Sequence, residues 1–157
     1  MRAASVKEIK TGLEEISPKE LLSICLRLSK FKKENKELIT YLLFEAQDED
    51  AYIQSVKSEI DLSFESLNRN SMYIAKKNIR KIVRNANRYI KYSNLETTAV
   101  TLLIHVCSKI KSSGLDLNKS QALLNIYTSL IKKIKLSIST LHEDLQYDFN
   151  LELNEIM

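Results

Sequence analysis

The chain has 157 residues, a mass of 18.1 kDa and a formal charge of +4, a size that reads as one domain spanning 1–157. Hydrophobic residues make up 44% and charged residues 28%, a globular balance that excludes wholesale disorder. Two Gly, one Pro and no Trp exclude a sandwich, a barrel or a turn-dense α/β enzyme, each of which needs a breaker every few residues.

Apolar residues recur at spacings of three and four almost throughout, and strict alternation is nowhere sustained. The pattern predicts an all-α single domain, a bundle or short solenoid of about six to seven helices arranged as stacked hairpins. An N-terminal helix lies within 1–16, with Val6, Ile9, Leu13 and Ile16 on one stripe. Ser17-Pro18-Lys19-Glu20 then reads as a capping box: the Ser hydroxyl takes an orphan N–H, Pro sits where its missing donor is harmless, and Glu20 reaches back. Hairpins follow over 17–114. The second helix is expected to turn Leu21, Leu22, Cys25 and Leu28 inward, with Phe31 as a further candidate, and the third to turn Leu38, Ile39, Leu42, Leu43 and Ala46 inward.

Asp48-Glu49-Asp50 marks a helix start, because carboxylates favour the positive end of the macrodipole. That helix runs towards Leu67, and Asn68-Arg69-Asn70-Ser71 breaks it and caps a helix over 72–92. Asn94 and Glu96 open the next, which Gly114 closes as a left-handed cap. A long C-terminal segment fills 118–157. As one helix it would be roughly 50–60 Å long, against roughly 30–35 Å for a globule of this size. Leu136-Ser137-Ile138-Ser139-Thr140 is poor in strong helix formers, so a break is expected near 136–140. Without a break the segment would project an apolar stripe, a surface for self-association. Phe31–Leu38 also echoes Tyr89–Glu96, each a helix end, a polar turn with Asn and a new helix, as in repeat-like hairpins.

Charge is segregated. Residues 45–65 sum to −6, 66–95 to +8 and 143–157 to −5. On the helix over 72–92, Lys76, Lys77, Arg80, Lys81, Arg84, Arg88 and Lys91 oppose the apolar face of Ala75, Ile79, Ile82, Val83, Ala86 and Ile90. These cations suit a nucleic-acid backbone, with Arg80, Arg84 and Arg88 as central contacts and Tyr73, Tyr89 and Tyr92 as stacking groups. Because an acidic helix adjoins them in sequence, the plainer reading is an acidic cover from that preceding helix or from the acidic tail.

Reaction chemistry is harder to place. The chain has no glycine-rich phosphate loop, nucleophile elbow or paired metal-binding Cys, so no catalytic residue, metal or cofactor is predicted. His105 reads as a half-buried helical residue with one hydrogen bond. Cys25 and Cys107 read as small core side chains in a reducing compartment. The densest polar cluster is His142, Glu143, Asp144 and Gln146, in which a helical His beside carboxylates resembles a metal ligand set. The Glu-x-x-His pairs of metal-carboxylate bundles are absent, and a solvated acidic turn is the plainer reading.

Glu15-Ile16-Ser17-Pro18-Lys19-Glu20-Leu21-Leu22, Phe31-Lys32-Lys33-Glu34-Asn35-Lys36-Glu37-Leu38 and Leu141-His142-Glu143-Asp144-Leu145-Gln146-Tyr147 together resemble small all-helical bacterial proteins of unknown function. That resemblance implies helical architecture and no particular activity. The Met-Arg-Ala-Ala-Ser-Val start lacks the apolar core of a signal peptide, and no stretch reaches the roughly 18 apolar residues of a membrane span. The expectation is therefore a cytoplasmic, non-catalytic interaction or scaffold module with a protein partner or a second copy. Nucleic-acid binding through 72–92 is the alternative.

Overall fold

The computed structural model describes residues 2–68 and 71–157, which form eight α-helices and no strand. Arg69 and Asn70 of the predicted Asn68–Ser71 break lie outside the described residues. Where the sequence reads as one domain, the backbone gathers into two compact units, Met1–Phe44 and Glu45–Met157. The reason lies in burial: the three helices of the first unit bury no residue, whereas those of the second share one core.

The first unit holds α1 (Val6–Glu14), α2 (Pro18–Phe31) and α3 (Lys33–Thr40). Both Ser5 and Ser17 are N-caps in capping boxes. The Glu20 carboxylate accepts from the Ser17 hydroxyl at 2.6 Å and from its backbone N–H at 2.9 Å, and these bonds hold its pKa below the ordinary 4.5. Lys32 is extended between α2 and α3, and Asn35 donates across that turn to the Leu28 carbonyl at 2.9 Å. The third helix does not continue to Ala46 as expected. It gives way to a π-helical turn, Tyr41–Glu45, in which Tyr41 is buried while Leu42, Leu43 and Phe44 face outward.

The second unit holds α4 (Glu49–Glu65), α5 (Met72–Ser93), α6 (Glu96–Ser112), α7 (Gln121–Ile138) and α8 (Glu143–Ile156). Val100, Leu102, Leu103, Val106 and Cys107 of α6 have no exposed surface. A helix apolar over most of its circumference has to be largely surrounded, and α6 packs against α4, α5, α7 and α8. Asn94 ends α5 in the left-handed region at φ 57°, and Gly114 follows α6 at φ 77°. A 3₁₀ turn, Leu117–Lys119, leads to Ser120, whose hydroxyl caps α7.

The C-terminal segment is two helices rather than one. The hydroxyls of Ser139 and Thr140 donate to the carbonyls of Leu136 and Ser137 at 2.7 and 2.8 Å, satisfying acceptors that another helical turn would have used. After His142, α8 folds back on α6 and α7, burying Leu153 and Ile156. The break falls where it was expected, and the projecting stripe that an unbroken helix would have offered for self-association is not formed. The two hairpin turns that echo one another in sequence differ in conformation, Lys32 being extended and Asn94 left-handed. No helix among the described residues is long and apolar enough to cross a membrane.

Candidate anion-binding surface

Helix α5 is held by its inner face, where Ala75, Ile79, Ile82, Ala86 and Ile90 are buried. That burial outweighs the repulsion of its i, i+4 cation pairs, each costing about 0.2–0.5 kcal/mol. On the outer side Lys77, Arg80, Lys81, Arg84 and Lys91 are exposed, while Lys76 and Arg88 are half-buried. Arg88 does not stand with Arg80 and Arg84 as a central outer contact. Its guanidinium lies 5.2 Å from the centroid of the Tyr89 ring, and the Tyr89 hydroxyl donates to Glu59 of α4 at 2.5 Å.

Three of the five carboxylates of α4 have partners of their own. Asp61 lies 2.6 Å from His105 Nε2 and 3.0 Å from Lys109 Nζ, both on α6. Glu49 accepts from Ser93 and Thr98 at 2.5 and 2.6 Å, and Glu59 accepts from Tyr89. Burial pushes the Asp61 pKa up, but the hydrogen bonds and charges of Lys109 and His105 outweigh it and leave the net value below the ordinary 3.8.

What lies beside α5 on its other flank is α7, which the sequence-based reading of the basic face left out. Three lysines, Lys132, Lys133 and Lys135, and no carboxylate stand on α7, and α5 also has none. Between the two helices runs a groove of about 470 Å³. Its walls carry Arg80, Asn87 and Lys133 as polar groups and Val83, Ile126 and Leu130 as apolar ones. Lys133 Nζ donates to Asn87 Oδ1. Burial, aided by Lys91, pulls the Lys133 pKa down against the opposing effect of Glu96. A second hollow, about 300 Å³, follows Tyr73, Lys76, Lys77, Arg80 and Arg84 along α5, so Arg80 borders both. The signal in the sequence was the acid-free run from 117 to 142.

Of the three tyrosines expected to stack, only Tyr73 is open, at 74% exposed; Tyr92 is buried and Tyr89 is tied to Glu59. Comparison with protein-family models, curated proteins and solved structures yields no match.

The polar cluster at the start of α8 is a helix cap. His142 Nδ1 accepts from the Asp144 backbone N–H at 3.4 Å, and Gln146 donates to the Leu141 carbonyl at 2.8 Å. His142 and Asp144 approach within 3.5 Å at the surface, with Glu143 exposed beside them. No group of three or more His, Cys, Asp or Glu among the described residues is arranged to hold a metal ion. Cys107 is buried, and that burial pushes its thiol up to about 12, which leaves it inert as a nucleophile. Cys25, expected in the core, is exposed on α2, because α2 buries nothing.

Proposed function

We propose that the chain is a non-catalytic helical interaction module that self-associates through its N-terminal helices, residues 6–44. The observation that carries this reading is the amount of apolar surface left open there. Val6 is 84% and Phe31 75% exposed, and Leu22, Leu26, Leu28 and Phe44 are exposed with them. So many exposed large apolar side chains on three short helices mark a contact site rather than a solvated face. The stripes carry helical spacing, which suits helix-on-helix packing.

A second copy is the occupant that the charges favour. Cations and carboxylates alternate through α1–α3, as in the surface pairs Lys10–Glu14 and Lys33–Glu37. An interleaved pattern is complementary to itself, as a two-fold interface requires.

The test is the solution mass of the full chain by light scattering at tens of micromolar, a range in which associations of about 8 kcal/mol are populated. Twice 18.1 kDa is the expected mass, returning to the single-chain value in Leu22→Ser/Phe31→Ser. Both side chains are exposed, so the substitutions leave folding within about 0.5 kcal/mol each. A wild-type chain that stays at the single-chain mass overturns the reading, as does a double variant that associates unchanged.

A further inference from the structure

The proposed association rests on α1–α3 alone, and the chemistry of the α5–α7 face points to a different ligand. We propose that the groove between α5 and α7, with the Tyr73–Arg84 stripe that continues it, binds a single strand of nucleic acid. Phosphates lie on Arg80, Arg84 and Lys133, and a base rests against Val83, Ile126 and Leu130.

Four features of the face converge on this class of ligand. First, α5 and α7 carry no carboxylate, and Lys77, Arg80, Lys81, Arg84 and Lys91 of α5 are exposed with the three lysines of α7. Glu96 of α6 acts against Lys133, while Glu49, Glu59 and Asp61 of α4 are engaged with Ser93, Thr98, Tyr89, His105 and Lys109. A positive surface attracts a polyanion and repels cationic partners. Second, the groove is mainly apolar with polar groups among its walls, which fits a nucleobase with its flat apolar faces and hydrogen-bonding edge better than an inorganic anion. Asn87 and Lys133, already joined to each other, present such an edge partner.

Third, Arg80 borders both the groove and the hollow beside it, so a ligand can run continuously from one to the other. From Tyr73 to Arg84 the helix rises about 16 Å, a span for a strand rather than for one phosphate. Fourth, Tyr73 at the far end is 74% exposed and offers a ring face on which any base can stack. A duplex keeps its bases stacked inside and leaves both the apolar groove and Tyr73 unused. Burial and Lys91 also weaken the hold of Lys133 on its proton, and an arriving phosphate relieves that cost.

The experiment is fluorescence anisotropy of a labelled 12-nucleotide single-stranded DNA, with a duplex of the same sequence as comparison, titrated with the full chain at two salt concentrations. Single-strand binding is expected, with log K falling against log salt by about 0.7 for each phosphate neutralised. Arg80→Glu and Lys133→Glu each flatten that slope by about 0.7 or more, and Tyr73→Ala weakens binding about fivefold or more at constant salt. Lys57→Glu on α4, an equal change of charge away from the groove, alters affinity less than about twofold if the groove rather than net charge is read. All four side chains are at least partly exposed, so the variants fold. No binding at low salt overturns the proposal. So does a loss in Lys57→Glu equal to that in Arg80→Glu, or a duplex bound more tightly than the strand.

Discussion

His105 Nε2 lies 2.6 Å from Asp61 Oδ1, joining α6 to α4 beside the apolar core. Lys109, one turn further along α6, reaches the same oxygen at 3.0 Å. Two cationic or donor groups at i, i+4 on one helix thus converge on a single carboxylate of another, and the packing angle of α4 against α6 is fixed by more than apolar contact.

That arrangement makes stability depend on acid. The Asp61 pKa is depressed in the folded chain, so its contribution is complete above the ordinary value of 3.8 and is lost as the pH falls through the lower folded value. Asp61→Asn is expected to cost about 1 kcal/mol at neutral pH, since bonds to a charged group are strong but a half-exposed pair is screened by water. Urea unfolding of both chains at pH 7 and near pH 2.5 checks this: the difference should shrink at the lower pH. An unchanged difference would assign the effect to packing.

The return of α8 is expected to rest on its inner edge. Leu153 is 1% exposed and Leu151 is 52% exposed. Leu153→Ala should cost about 2–4 kcal/mol through lost transfer energy and a residual cavity, and Leu151→Ala less than about 0.5 kcal/mol. Chemical denaturation midpoints at constant m-value distinguish the two. Similar losses at both positions would place α8 differently on the core.

Asn94 ends α5 in a conformation that L side chains with a Cβ resist. Asn94→Ala is expected to lower stability by about 1 kcal/mol, while Asn94→Gly changes it little or raises it. Thermal unfolding of the two variants reads the sign, and equal behaviour of Ala and Gly would argue that the strain is relieved elsewhere.

Helix ends were the most legible part of the sequence. Ser17-Pro18-Lys19-Glu20, Asp48 and Gly114 are punctuation whose chemistry is local, and each stands at a helix boundary. Ser120, a cap of the same kind, was hidden by the neighbouring Asn118, which lies inside a 3₁₀ turn capped by Asp116. What periodicity does not carry is the identity of the surface across from a stripe. Leu22 and Leu103 occupy equally apolar runs, yet Leu103 is fully buried and Leu22 is exposed, because one faces four helices and the other faces water.

The candidate site divides in the same way. The cations of α5 are visible as a run without acids, since that is a property of one segment. Lys133, Asn87 and Ile126 become one wall only when α7 is laid beside α5, and a separation of 46 residues between Asn87 and Lys133 leaves no trace in spacing. The Asp61–His105 contact, 44 residues apart, was out of reach for the same reason.

The settings of the two thiols give the protein a built-in reporter. Cys25 is open to reagents on α2, whereas Cys107 is sealed in the core and ionises only at about 12. A maleimide dye therefore attaches at a single address per folded chain, without any engineered cysteine. Because that address stands one turn from Leu22 and from Leu28, its labelling slows when two copies of α2 come together, and the rate itself reports the association.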